Sequence, residues 1–308
     1  MAAQIRTVTG DIDPLELGPT YCHEHLLTRP GEHLVSADAD LMLDDAERAC
    51  AELNDFRDNG GRALVEVTTP EFGRDLDGLK RLSERSGVAV IAATGHVSED
   101  YWRGVIDLDA PSEQDLVDEF VGDLTQGTTA GSRAGVIKVG SSLNEIRPME
   151  AKVFRAAAAA QGKTGAPITT HTSAGSAAME QVRLLEEEGV ATDRVCLGHL
   201  DRRLVWDEHI ALARLGVWLG YDCISKEQYQ PDGLRARFIV RLFEEGHGGQ
   251  ILLSGDLARR SYLKAWGGGP GYRYIIKEFS ARLVDEGLTE TDVDGLLRNN
   301  PSRFLTWR

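Results

Sequence analysis

His23 and His25 are separated by one residue in segment 21–27, which reads Tyr-Cys-His-Glu-His-Leu-Leu. If this apolar segment is a β-strand, the two imidazoles face the same side and Glu24 faces the other. Two imidazoles at this spacing can hold one metal ion together. The alternative is two buried histidines that only make hydrogen bonds, and it loses weight because further candidate ligands recur along the chain.

Lys138 lies in the apolar segment Ala-Gly-Val-Ile-Lys-Val-Gly, where a charged ammonium group would be costly to bury and would repel metal ions. Carbamylation by carbon dioxide would turn Lys138 into an anionic group that can bridge two metals. His171, His199 and Asp256 each end or follow an apolar run. Asp256 could both bind a metal and accept a proton from a bound water.

The elements that must position these residues form a repeating pattern of short apolar runs and longer amphipathic segments. Segments 44–59 and 149–161 are the clearest predicted helices, because turn and capping residues bound the first and Pro148 precedes the alanine-rich second. The predicted strands are residues 20–26, 63–69, 88–94, 135–139, 167–171, 195–197, 217–221 and 250–254.

Eight strand-then-helix units in 308 residues predict a single-domain (β/α)8 TIM barrel over residues 1–308. An open doubly wound sheet is the alternative, because strand counting can err by one or two. In a barrel, the carboxyl ends of all strands meet at one mouth. We therefore expect all the candidate ligands to converge there: His23, His25, Lys138, His171, His199 and Asp256.

This ordered ligand set resembles that of the amidohydrolase superfamily. The surrounding sequence resembles its phosphotriesterase family, with Glu16-Leu17-Gly18 ahead of Cys22-His23-Glu24-His25 and Gly73-Arg74-Asp75 after the second predicted strand. The similarity extends over nearly the whole chain.

The resemblance implies a binuclear hydrolase. His23, His25 and Asp256 would hold a buried metal, His171 and His199 a more exposed one, and carbamylated Lys138 together with a hydroxide would bridge the two. Asp256 would take the proton from the attacking hydroxide. Zinc is the first expectation, and manganese, cobalt and iron remain open for such nitrogen and oxygen donors.

Loops after the seventh and eighth predicted strands carry a basic patch in an otherwise acidic chain. Lys226, Arg259 and Tyr262 lie beside the turn Gly-Gly-Gly-Pro-Gly at 267–271, and this corner often binds phosphate in barrels of this kind. The stretch resembles the branch of the family that opens phosphorylated sugar lactones. In the alternative, Arg259 pairs with a surface acid. His96, at the end of the third strand, is also expected to touch substrate.

The leading hypothesis is therefore a lactonase for a phosphorylated or otherwise anionic sugar lactone. An organophosphate triesterase is the alternative, and a non-catalytic binding barrel is a third reading that the complete ligand set disfavours. Asp222-Cys223 stands where the acyl-homoserine-lactone branch usually has an Asp-Arg pair, which counts against that branch.

Composition narrows the class of partner. Acidic residues outnumber basic ones by 49 to 34, for a formal charge of −15, which argues against nucleic acid and favours a small molecule. The N-terminal residues lack a signal-peptide pattern, and the chain lacks an apolar run of membrane-spanning length. We expect a cytoplasmic protein with four reduced cysteines, and the oligomeric state, a homodimer included, stays open.

Overall fold

Eight parallel strands lie side by side in sequence order in the computed structural model, which describes residues 3–308. The first two residues of the predicted domain 1–308 lie outside the described part. The strands are β1 (Thr20–Glu24), β2 (Ala63–Glu66), β3 (Ala89–Gly95), β4 (Val136–Ser141), β5 (Ile168–Thr172), β6 (Val195–Leu197), β7 (Trp218–Tyr221) and β8 (Ile251–Leu253). Each predicted strand matches one of these, so the predicted (β/α)8 barrel is confirmed.

Side chains bring the last strand against the first. The Ser254 hydroxyl accepts a hydrogen bond from the His23 amide at 3.0 Å and donates to the His23 carbonyl at 2.8 Å. The buried carboxylate of Glu24 accepts from the amides of Gly255 and Leu257, at 2.7 and 2.8 Å. Glu24 therefore faces away from the histidine cluster, as predicted, and joins β1 to the segment after β8.

Helices cover the outside of the barrel. An antiparallel pair of short strands, Ile5–Thr7 and Gly10–Ile12, precedes β1. The helices are α1 (Glu32–Ala37), α2 (Ala46–Asp58), α3 (Leu76–Ser86), α4 (Glu99–Trp102), α5 (Glu113–Thr125), α6 (Pro148–Thr164), α7 (Ala178–Glu187), α8 (Trp206–Leu215), α9 (Asp232–Glu244), α10 (Ser280–Asp285), α11 (Glu290–Asp294) and α12 (Asn300–Leu305). Two π-helical segments, Ile275–Phe279 and Gly295–Asn299, lead into α10 and α12.

Local sequence explains the two helices that were predicted with bounds. Helix α2 begins because the Asp45 carboxylate accepts hydrogen bonds from the amides of Glu47 and Arg48, at 2.9 and 3.1 Å. Helix α6 begins at Pro148 and ends where Gly165 takes a φ of +78°, which glycine adopts without steric cost. Both match their predicted positions to within three residues.

Apolar side chains fill both sides of the sheet. One set lies between the strands and the surrounding helices, and a second closes the floor of the barrel, where Cys22, Val65, Cys196 and Trp218 meet. The polar residues at the strand ends therefore lie above a layer of apolar side chains. Of the helices in residues 3–308, none is both long and apolar enough to cross a bilayer.

Candidate active site

All six predicted metal ligands line one cavity at the carboxyl ends of the strands. Its volume is about 470 Å³. The predicted ligands on its wall are His23, His25, Lys138, His171, His199 and Asp256, and the same wall includes Tyr101, Arg202, Tyr229 and Arg259. Residues from the two ends of the barrel, such as His23 and Asp256, therefore share one space, as the barrel topology predicts.

The donor atoms of the six side chains approach one another in pairs. Lys138 Nζ lies 3.1 Å from His23 Nε2, and His171 Nδ1 lies 2.9 Å from His199 Nε2. His25 Nε2 lies 3.4 Å from Asp256 Oδ1. Such a dense set of buried nitrogen and oxygen donors fits a divalent metal centre, since a cation can satisfy several of them at once.

Asp222, which directly follows β7, joins two of these histidines from behind. One carboxylate oxygen lies 2.7 Å from His199 Nδ1 and the other 2.9 Å from His23 Nδ1. Burial raises the pKa of Asp222, but the two histidines outweigh this effect and hold the pKa well below its usual range. A carboxylate at Nδ1 leaves Nε2 of each ring free to bind a metal, and this is the usual support of metal-binding histidines.

His25 has a comparable support through a hydroxyl group. Its Nδ1 lies 2.8 Å from Thr68 Oγ1, and this hydroxyl donates a 2.5 Å hydrogen bond to the buried carboxylate of Glu66. The Nε2 atom of His25 therefore remains directed towards Asp256. Neither Asp222 nor Glu66 was predicted to act in the site, although Asp222 follows a strand at the barrel mouth.

Burial shifts three of the nitrogen donors, Lys138, His23 and His171, towards their neutral forms. It lowers the pKa of Lys138 to about 8, and together with the charge of Lys138 it lowers the pKa of His23 to about 3. Burial and the neighbouring His199 also hold the pKa of His171 well below its usual value. Neutral amines and imidazoles have a lone pair available for a metal or for carbon dioxide, whereas protonated ones do not.

Two of the predicted strand-end ligands have a backbone conformation that lies outside the extended region of a strand. His199 has a φ of +60° and Asp256 a φ of +47°, in the left-handed region that non-glycine residues rarely adopt. Such strain is found mainly where surrounding structure holds a functional residue in place. Ahead of His199, a Cβ at Gly198 would lie 2.4 Å from the Thr170 carbonyl oxygen, so this approach requires glycine.

The predicted phosphate-binding residues do not form one group on the cavity wall. Lys226 is 2% exposed, and its Nζ lies 2.5 Å from Asp256 Oδ2, so it stands behind Asp256. The Tyr262 hydroxyl accepts a hydrogen bond from Gln228 at 3.1 Å. Arg259 does line the cavity, and its Nε lies 2.9 Å from Asp38 Oδ2.

His96 lies between the carboxylates of buried Glu71 and exposed Glu119 instead of at the predicted contact with substrate. Its Nδ1 is 3.0 Å from Glu71 Oε2 and its Nε2 is 3.4 Å from Glu119 Oε1, with 2% of the residue exposed. Burial alone would lower the pKa of His96, but these carboxylates raise it to about 9. Both ring nitrogens are therefore engaged, which corrects the prediction.

Arg202 and Tyr229 are cavity residues that the sequence reasoning missed. The guanidinium carbon of Arg202 lies 4.1 Å from the centre of the Tyr229 ring. Arg202 ends the single helical turn Leu200–Arg202, directly after His199. A basic residue three positions after a strand-end ligand was the signal that could have identified it.

Comparisons with known proteins identify the family of this chain. A family model described as the phosphotriesterase family matches residues 3–305. The phosphotriesterase homology protein of Escherichia coli K12 is 36% identical over 291 residues, which cover 94% of this chain and 98% of that protein. Human N-acetyltaurine hydrolase is 30% identical, with 100% of this chain and 99% of that protein covered.

Solved structures show the same similarity. The lactonase Lmo2620 from Listeria monocytogenes superposes with a TM-score of 0.96 at 34% identity, covering 99% of each chain. The Escherichia coli phosphotriesterase homology protein, complexed with phosphate in its active site, has a TM-score of 0.89 at 35% identity, covering 96% of this chain and 100% of that one.

Proposed function

This chain belongs to the phosphotriesterase family of ester hydrolases, and we propose that it opens a lactone whose sugar carries a phosphate or another anionic group. The observation that carries the proposal is the convergence of six donor side chains in a cavity whose wall also contains two arginines, Arg202 and Arg259.

Two divalent metals would be held by the donor set. In the proposed assignment His23, His25 and Asp256 would hold one ion, His171 and His199 would hold the other, and Lys138 would contribute to the same centre as a carbamate. Two bound divalent ions supply a hydroxide at neutral pH and polarise the ester carbonyl.

Carbamate formation requires the neutral amine of Lys138. Because burial lowers the pKa of Lys138 to about 8, an appreciable fraction of the amine is neutral near pH 7. The nitrogen adds to carbon dioxide and releases a proton, which leaves one negative charge on the new carboxylate group. The 3.1 Å between Lys138 Nζ and His23 Nε2 supports a place for that group among the ligands.

Asp256 would accept the proton of the attacking hydroxide. Its Oδ2 is fixed by Lys226, whereas its Oδ1 faces His25 and the cavity. The charge of Lys226 outweighs burial and holds the pKa of Asp256 well below its usual range. The carboxylate is therefore ionised, and it would hold a transferred proton only briefly. The proton then passes to the ring oxygen of the lactone as the acyl–oxygen bond breaks.

The two arginines favour an anionic substrate over a neutral one. A neutral organophosphate triester, the alternative substrate, could undergo the same attack but would gain no ion pair from Arg202 or Arg259. The N-acetyltaurine hydrolases give a second candidate, because their named substrate combines a hydrolysable acyl bond with an anionic sulfonate.

A matched substrate panel tests the proposal. Metal-loaded enzyme is given the same γ-lactone with and without a phosphate, a neutral phosphotriester, and N-acetyltaurine, with hydrolysis followed by acid or amine release. We expect the phosphorylated lactone to have the highest kcat/KM, at least about 10-fold above the neutral lactone, if one buried charge-assisted contact is gained. A preference for the neutral lactone or the triester would refute the proposed substrate class.

A further inference from the structure

Arg202 differs from its basic neighbours because it makes no ion pair with a carboxylate of residues 3–308. Arg259 is paired with Asp38 at 2.9 Å, and the next residue in the chain, Arg203, is paired with Glu208 at 2.8 Å. Among residues 3–308, no carboxylate lies within ion-pair distance of the Arg202 guanidinium, which is held against the Tyr229 ring. Arg202 therefore brings a charge to the cavity that no described side chain neutralises.

The backbone of Arg202 is fixed relative to the candidate metal centre. Its amide donates to the His199 carbonyl at 3.1 Å, and its carbonyl accepts from Gln230 at 3.3 Å. The preceding Asp201 is fully buried and accepts a 2.7 Å hydrogen bond from Arg235. These contacts hold the backbone of Arg202 in place. Its side chain is restricted in turn by stacking on the Tyr229 ring.

Arg202 and Arg259 line the same cavity as Tyr101. The Tyr101 ring lies 5.7 Å from the His171 ring, at the edge of the candidate metal centre. A substrate anion bound by the two arginines would therefore lie in the same cavity as the six candidate metal ligands.

We infer that Arg202, stacked on Tyr229, selects substrates by binding a phosphate or sulfonate group at the edge of its guanidinium. A guanidinium stacked by its face keeps its N–H groups free at the edge, where two of them match two oxygens of a tetrahedral oxyanion. The inference rests on the proposed function for the reaction that follows, but the binding itself requires no turnover.

A binding measurement with a non-hydrolysable probe tests this role. Metal-loaded protein is titrated calorimetrically with D-ribose 5-phosphate and, in parallel, with D-ribose. We expect Arg202→Met to weaken binding of the phosphorylated sugar about 10- to 100-fold, as removal of a charge-assisted contact does. Arg202→Lys should recover part of the affinity because it keeps the charge, and Arg203→Met, the matched control, should bind like the wild type.

The outcomes separate this inference from the proposed reaction. Equal affinity of the wild type and Arg202→Met for ribose 5-phosphate, at equal metal content, would overturn the inference. So would a parallel loss for ribose, because it would indicate general damage to the cavity. If the wild type hydrolyses no lactone yet its phosphate binding depends on Arg202, the inference stands and the proposed reaction fails.

Discussion

Lys226 Nζ lies 2.5 Å from Asp256 Oδ2, and it also contacts the carbonyl oxygen of Asp256. Lys226 is almost fully buried, whereas Asp256 lines the cavity, so the lysine acts on the cavity through the carboxylate. We therefore expect Lys226 to orient Asp256 and to keep its carboxylate ionised, and not to contact phosphate as the sequence predicted.

Replacing Lys226 by Met should therefore reduce turnover of neutral and phosphorylated lactones alike, by about 10- to 100-fold in kcat. The reason is that a buried carboxylate loses its counter-charge, a change that typically costs several kcal/mol. Steady-state kinetics on the matched lactone pair measures this, with Lys264→Met as the control because Lys264 makes a more exposed pair with Asp55. A loss confined to the phosphorylated lactone would restore the phosphate-binding role.

Asp222→Asn should weaken metal binding about 10- to 100-fold, since the asparagine can accept a hydrogen bond from one of the two histidines only. Competition with a chelator measures the affinity. Asp193→Asn is a suitable control because Asp193 is half-exposed and pairs with Arg308. Unchanged metal affinity in Asp222→Asn would show that Asp222 does not support His23 and His199.

Lys138→Ala should lower kcat at least about 100-fold through loss of the proposed carbamate. A short carboxylic acid such as propionate, added in solution, should restore part of the activity because it can occupy the same place. Lys163→Ala, at an exposed position on α6, is the control. Full activity of Lys138→Ala with normal metal content would exclude a carbamate from the mechanism.

Arg259→Ala should reduce kcat/KM for the phosphorylated lactone about 10- to 100-fold and leave the neutral lactone within about twofold. Arg259 lines the cavity, where Asp38 fixes its Nε at 2.9 Å. Arg260→Ala is the neighbouring control, because Arg260 pairs with Asp44. Equal losses for both lactones would assign Arg259 to the stability of the loop.

The sequence predicted the barrel and the ligand positions because both depend on periodic features. Strand alternation places His23 and His25 together, and the barrel topology brings distant strand ends such as His171 to the same mouth. Side-chain directions in the loops follow no such period. They depend on acids that are distant in sequence, such as Asp38 for Arg259, and on left-handed residues such as Asp256.

The same limitation explains the wrong prediction for His96. Its position at the end of a strand correctly placed it near the mouth, but Glu71 and Glu119, from a loop and from α5, engage both ring nitrogens. The sequence offered no sign that these acids converge on one imidazole. Arg202 was missed for the converse reason, because its lack of a carboxylate partner among residues 3–308 is visible only in three dimensions.

Metal stoichiometry of the purified protein tests the central claim most directly. Elemental analysis of the wild type should give two divalent ions per chain, with His23→Ala and His171→Ala each sharply lowering occupancy. His33→Ala, at an exposed position on α1, should retain both ions. A fully active wild-type enzyme without bound divalent metal, or full occupancy in both His23→Ala and His171→Ala, would contradict the account.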